Sequence, residues 1–138
     1  MSEAQEQSSD GSVRNTGPGQ ILLVDDDECF IRLLAHRLAS LRYRVTAETD
    51  PKIALARFQN SPAVFDVLLT DLSMPGLSGF ELAQQVLKIR PTLPVIGMSG
   101  TIASEDSELA RSMGWRALIS KGVILDELPR ELKRLSAR

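Results

Sequence analysis

The sequence predicts an α/β fold: an open parallel sheet of five strands with helices packed on both faces. Three observations predict it. Short, continuous apolar runs alternate with amphipathic stretches from Ile21 onward. The runs hold few polar residues, as strands covered on both faces require. Acidic, hydroxyl and basic residues follow the runs rather than interrupt them. That places the reactive groups beyond the carboxyl ends of the strands, where open α/β sheets bind their ligands.

The strands are expected at residues 21–24, 43–47, 65–70, 93–98 and 115–119. Between the first two, Phe30, Leu34, Leu38 and Leu41 sit at helical spacing on one face. Asp50-Pro51 opens the second helix, with Asp as N-cap and proline at the first helical position. Ser78 followed by Glu81 is a capping box for the third, whose face carries Phe80, Ala83 and Leu87. Gly114 after Met113 stops the fourth. In the last helix Leu125, Leu128, Leu132 and Leu135 repeat at three, four and three residues. Proline disrupts a helix interior, so this helix is expected to start near Asp126, with Pro129 in its first turn.

The whole chain is 138 residues, one ordinary domain. Residues 1–19 are poor in large apolar side chains and end in a Gly-Pro-Gly run. They read as a flexible tail or linker, or in part an expression leader, ahead of a domain at 20–138. A net charge of −2 gives no basic footprint for nucleic acid and no polybasic membrane patch. No apolar run approaches the roughly 20 residues of a membrane span, and no signal peptide is seen. The single cysteine, Cys29, excludes an internal disulfide and fits a cytoplasmic setting. It reads as a packing residue, His36 as a surface residue and Trp115 as packing at the start of the fifth strand.

The chemistry lies at four strand ends. Asp25, Asp26 and Asp27 follow the first strand and Thr70-Asp71 close the third; Ser99-Gly100 follow the fourth and Ser120-Lys121 the fifth. Crowded together, Asp25, Asp26 and Asp71 would repel one another and raise at least one pKa. A divalent cation relieves this. Carboxylate oxygens without His or Cys donors suit Mg²⁺ rather than Zn²⁺. A carboxylate held in this way can attack phosphorus and form an aspartyl phosphate. The Lys121 ammonium, the Ser99 hydroxyl and backbone N–H groups would then hold the phosphoryl oxygens. Taken singly, each member has an ordinary reading: an acidic N-cap, a turn aspartate, a surface lysine. Their convergence carries the functional reading.

The runs Ile21-Leu22-Leu23-Val24-Asp25-Asp26-Asp27-Glu28, Leu69-Thr70-Asp71-Leu72-Ser73-Met74-Pro75-Gly76-Leu77-Ser78-Gly79, Met98-Ser99-Gly100 and Ser120-Lys121 resemble the receiver domain of two-component response regulators. The resemblance implies a doubly wound, flavodoxin-like sheet of strand order 2-1-3-4-5. It implies that Asp71 accepts a phosphoryl group from a histidine kinase or histidine phosphotransfer protein. It implies Mg²⁺ held by Asp26, by Asp25 through water, by Asp71 and by the backbone carbonyl of Ser73. Ser99 and Lys121 correspond to the family's phosphoryl-holding hydroxyl and lysine, and Ser73 and Thr101 to positions that tune phosphate lifetime. The domain would be a signalling phosphoacceptor rather than an enzyme. Two positions depart from the pattern: Leu118 stands where an aromatic is usual, and Gly122 where a proline is usual. Many relatives pair as homodimers through the face of the fourth helix, fifth strand and fifth helix. The chain ends at Arg138, directly after the last expected helix, so its output is expected to be contact with a downstream protein. The Gly/Pro tail and the run Pro62-Ala63-Val64-Phe65-Asp66 are similar to carboxy-terminal receivers of hybrid sensor kinases, and a free-standing regulator is equally compatible.

Two other readings compete. Leu118 and Gly122 motivate a pseudo-receiver, a binding module independent of phosphate. Asp25-x-Asp27 after the first strand motivates a haloacid-dehalogenase-like phosphatase. Against the latter, Cys29 stands where its threonine would be, and no second acidic cluster comes late in the chain.

Overall fold

A computed structural model describes residues 19–136. The tail expected over 1–19 therefore lies, except for Gly19, outside the described residues. The elements alternate strictly: β1 (Gln20–Val24), α1 (Glu28–Ser40), β2 (Arg44–Glu48), α2 (Pro51–Asn60), β3 (Val67–Asp71), α3 (Gly79–Ile89), β4 (Val95–Ser99), α4 (Ser104–Ser112), β5 (Ala117–Ser120) and α5 (Ile124–Ser136). All four strand pairings are parallel, and the order is β2-β1-β3-β4-β5. The expected open sheet and the strand order implied by the resemblance are both found.

Each sheet face carries its own core. Leu22, Val24 and Leu68 pack with Ala54 and Phe58 of α2 and with Leu82, Ala83 and Val86 of α3. Ile21, Leu23, Val67 and Leu69 pack with Ile31, Leu34 and Leu38 of α1 and with Leu128 and Leu132 of α5. Neighbouring residues of β1 and β3 point to opposite cores, so both strands are apolar without a break. Every residue of β3 is buried.

The strand boundaries differ from expectation in a consistent way. β3, β4 and β5 each start two residues late, leaving Phe65, Leu93 and Trp115 ahead of the ladder. All three are buried in the α2/α3 core. Burial, not strand pairing, explains their apolar character. At the other end β3, β4 and β5 each run one residue further, taking in Asp71, Ser99 and Ser120. These residues are thus fixed by the sheet itself. β2 is less apolar than the central strands; it lies at the sheet edge, with Arg44 and Ala47 exposed. Its terminal Glu48 pairs with Arg57 of α2.

The caps follow expectation. Asp50 accepts from Lys52 N at 2.9 Å with Pro51 opening α2. Both bonds of the Ser78/Glu81 box form, and Gly114 adopts φ +78° after α4. The last helix does not follow it. It begins at Ile124, two residues before Asp126, and Pro129 lies inside it beyond the first turn. Ile124 is 1% exposed and takes the core place assigned to Leu125, which is 36% exposed. Burying Ile124 outweighs the backbone bond that Pro129 forfeits.

Two glycines permit close approaches in the fold, one of them beside the site. A β-carbon on Gly79 would lie 2.1 Å from the Asp71 carbonyl oxygen. Its absence lets the start of α3 dock against the end of β3, where Gly79 N donates to Leu72 O at 2.8 Å. A β-carbon on Gly97 would lie 2.4 Å from the Trp115 ring. That ring covers Gly97 and stacks on Phe80 at 4.8 Å.

Candidate functional site: an acidic pocket at the carboxyl edge of the sheet

β1 and β3 are neighbours, so their carboxyl ends place Asp25 and Asp71 side by side. Asp25 is fully buried, Asp71 is buried and Asp26 is exposed. One carboxylate oxygen from each lies within 4.8 Å of the others. Asp27 turns away to cap α1, accepting from Phe30 N at 3.1 Å. Its own N–H donates to Asp25 Oδ1 at 2.9 Å.

β5 delivers the countercharge. Lys121 Nζ lies 2.7 Å from Asp25 Oδ2 and 3.5 Å from Asp71 Oδ1. Asp71 Oδ1 also accepts from Leu72 N at 3.0 Å. One ammonium thus meets two carboxylates of a cluster of three. Burial and the Asp25 charge push the Asp71 carboxyl above its ordinary value, against the pull of Lys121 and the Leu72 N–H. Burial opposes the Lys121 ammonium, but its hydrogen bond and charge contact with Asp25 and the charge of Asp71 hold it above its ordinary value.

The structure brings Asp25, Asp26, Asp71 and Lys121 together as expected. Ser73 is exposed in the loop two residues beyond Asp71. Ser99 stands at the same edge, but its hydroxyl is turned aside. It donates to Thr101 O at 2.7 Å and accepts from Thr101 N at 3.3 Å. Cys29 and His36 are exposed on α1. Three residues contribute in ways the strand-end cluster did not assign. Asp27 proves to be the N-cap, as an Asp just before a helix can be. Gly79 provides the close approach. Phe30 lies with its ring centroid 4.6 Å from Lys121 Nζ. Its place in the first turn after the acidic run was the available signal, but helical spacing assigned it to the core.

The pocket fits a hard divalent cation. Its donors are carboxylate oxygens, and its negative charge exceeds what Lys121 can balance.

The response regulator receiver domain, as a family model, matches residues 21–133. The sensor histidine kinase RcsC of Escherichia coli (strain K12) is 32% identical over 131 residues, which cover 95% of this chain and 14% of that protein. The two-component response regulator ARR14 of Arabidopsis thaliana is 40% identical over 80 residues, 58% of this chain and 21% of that protein. The chain thus matches only about a seventh to a fifth of these relatives. A receiver domain protein from Clostridium thermocellum superposes with a TM-score of 0.82 at 25% identity, over 87% of this chain and 95% of that one. An acidic pocket suited to phosphorylation stands at the carboxyl edge of the sheet, and the family match runs from β1 into α5. On both grounds the chain belongs to the response regulator receiver domain family.

Proposed function

We propose that residues 20–138 form a receiver unit that takes a phosphoryl group on Asp71 from a histidine kinase or histidine phosphotransfer protein, acting in the cytoplasm as a signalling phosphoacceptor and not as an enzyme. The observation that carries this is the meeting of Asp25, Asp26 and Asp71 oxygens within 4.8 Å, with Lys121 set against two of them. Asp25, Asp26, Asp71 and the Ser73 carbonyl would hold Mg²⁺, which when bound supplies positive charge against the phosphoryl oxygens.

Leu72 N and Lys121 both engage Asp71 Oδ1. Neither occupies Oδ2, which is the attacking oxygen. As the new O–P bond forms, the P–N bond to the donor imidazole breaks, and its electron pair returns to nitrogen. The Lys121 ammonium then faces a phosphoryl oxygen. Ser99 gives up its bond to Thr101 O and turns to another. That exchange moves the loop leading into α4, and the altered surface meets a downstream protein or a second copy of the chain.

The test is an intact mass spectrum after incubation with acetyl phosphate, with and without Mg²⁺. A Mg²⁺-dependent gain of one phosphoryl mass is expected. No gain by the folded protein would transfer the function to a phosphate-independent binding module.

Lys121→Ala should harm the response more than the loading. Labelling should fall by no more than roughly tenfold, because the nucleophile and the cation ligands remain. Loading should no longer shift the amide resonances of Ser99 to Ala103. Normal shifts of those resonances in the loaded variant would refute the role given to Lys121.

A further inference from the structure

We propose that Phe30 is a positioning residue for the Lys121 ammonium, an inference that rests on the phosphoacceptor reading above. Lys121 leaves the sheet at the end of β5. Its backbone is pinned, its N–H donating to Ser99 O at 2.8 Å. Beyond it stands Gly122, exposed and without a β-carbon, its N–H donating to Ser120 Oγ at 3.2 Å. The backbone thus fixes where the side chain starts, not where a flexible four-carbon stem ends. The surroundings must fix the end.

The ammonium meets three groups. Asp25 Oδ2 is at 2.7 Å, Asp71 Oδ1 at 3.5 Å and the Phe30 ring centroid at 4.6 Å. The two carboxylates have competing claims, because the proposed chemistry gives both to a cation and Asp71 to phosphorus. The ring has none. Its negative face attracts an ammonium, and it offers no oxygen donor to Mg²⁺. It therefore holds Lys121 in place when the carboxylates are otherwise engaged.

The ring is itself well placed to do this. Phe30 is half-buried against the α1/α5 core. Its N–H is bound by Asp27 Oδ1 at 3.1 Å, and Asp27 N binds Asp25 Oδ1 at 2.9 Å. Asp25 in turn meets Lys121. The contacts close a circuit of Asp25, Asp27, Phe30 and Lys121, so the ring is located relative to the same carboxylate that the lysine neutralises.

The experiment uses the full chain and two readouts. The first is the proton shift of the Lys121 ε-methylene, assigned by its disappearance in Lys121→Ala. Ring currents should place it upfield in the wild-type protein, with and without Mg²⁺. Phe30→Leu should return it to the ordinary position, and Phe30→Tyr should keep it upfield. The second is acetyl phosphate labelling, which should slow roughly fivefold in Phe30→Leu, the range of a single cation–π contact, and recover in Phe30→Tyr. An ordinary ε-methylene shift in the wild-type protein overturns the proposal, and that reading needs no variant to fold. Labelling of Phe30→Leu at the wild-type rate also overturns it. A wild-type chain that takes no phosphoryl group, yet shows the upfield signal moving in Phe30→Leu, overturns the phosphoacceptor reading and upholds the placement of Lys121 by the ring.

Discussion

Asp71→Asn is expected to remain unlabelled by acetyl phosphate and, without Mg²⁺, to be more stable than the wild-type protein. The first result follows from loss of the nucleophile. The second follows from the charge balance of the pocket. Burial and Asp25 hold the Asp71 carboxyl above its ordinary 3.8. Over the interval from that value up to the raised one, the fold binds more protons than the unfolded chain. Stability therefore falls as pH rises through the interval, and the loss is complete above it. Lys121 acts with the opposite sign. Held above 10.5, it contributes stability fully below that value and loses it only as pH rises through the raised one. Above that interval the ionised Asp71 is thus a liability, and below 10.5 Lys121 is an asset. Asparagine removes the liability and leaves Lys121 its closer partner, Asp25. A gain on the order of 1 kcal/mol is expected, the free-energy scale of a single pK unit, with a rise in melting temperature of roughly 5 °C. Thermal melts in chelator across pH 4 to 8 would show the two proteins converging toward the acid end. Mg²⁺ should narrow the difference at neutral pH, since a ligand at ten times its Kd stabilises by about 1.4 kcal/mol. A mutant less stable than wild type in chelator would refute the electrostatic account, and a labelled mutant would refute the site.

Gly79→Ala should damage both fold and chemistry. The added carbon would sit 2.1 Å from the Asp71 carbonyl oxygen and 3.0 Å from the Leu72 α-carbon, both of them backbone atoms. Neither can rotate aside, so the start of α3 must retreat from β3 and give up the bond from Gly79 N to Leu72 O. Overpacking of this kind costs about 3 kcal/mol, or a melting temperature lower by on the order of 10 °C. Asp71 is the residue pushed. A misplacement of 1 Å at a reacting group can cost roughly a hundredfold in rate. Acetyl phosphate labelling, run well below the melting transition, should therefore slow by about that factor. Unchanged labelling in a protein with an unchanged melt would mean that α3 can shift without carrying Asp71.

The acidic pocket was readable because charge at the end of an apolar run has few structural uses. Asp25, Asp71 and Lys121 stood out against strands with almost no other polar residues. Strand order 2-1-3-4-5 followed from the resemblance, not from the alternation of elements, which admits other orders. What escaped depended on contacts distant in sequence. Phe65, Leu93 and Trp115 are apolar whether they pair in a sheet or plug its base, and periodicity cannot separate the two. Pro129 argued for a later start to α5 until the burial of Ile124 outweighed it. Phe30 lies at core spacing, and nothing in the sequence places Lys121 over its ring. Gly79 and Gly97 reveal their purpose only through the atoms that crowd them.

The character of β2 bears on how the chain survives in a crowded solution. An outer strand offers a row of unpaired backbone groups to any passing strand, and a flat apolar edge would recruit copies of the chain into aggregates. β2 is five residues long, begins with the exposed Arg44 and ends with Glu48 bound to Arg57. The charged ends discourage strand-to-strand stacking along that border, so this side of the sheet resists uncontrolled growth while the carboxyl edge stays open to visitors.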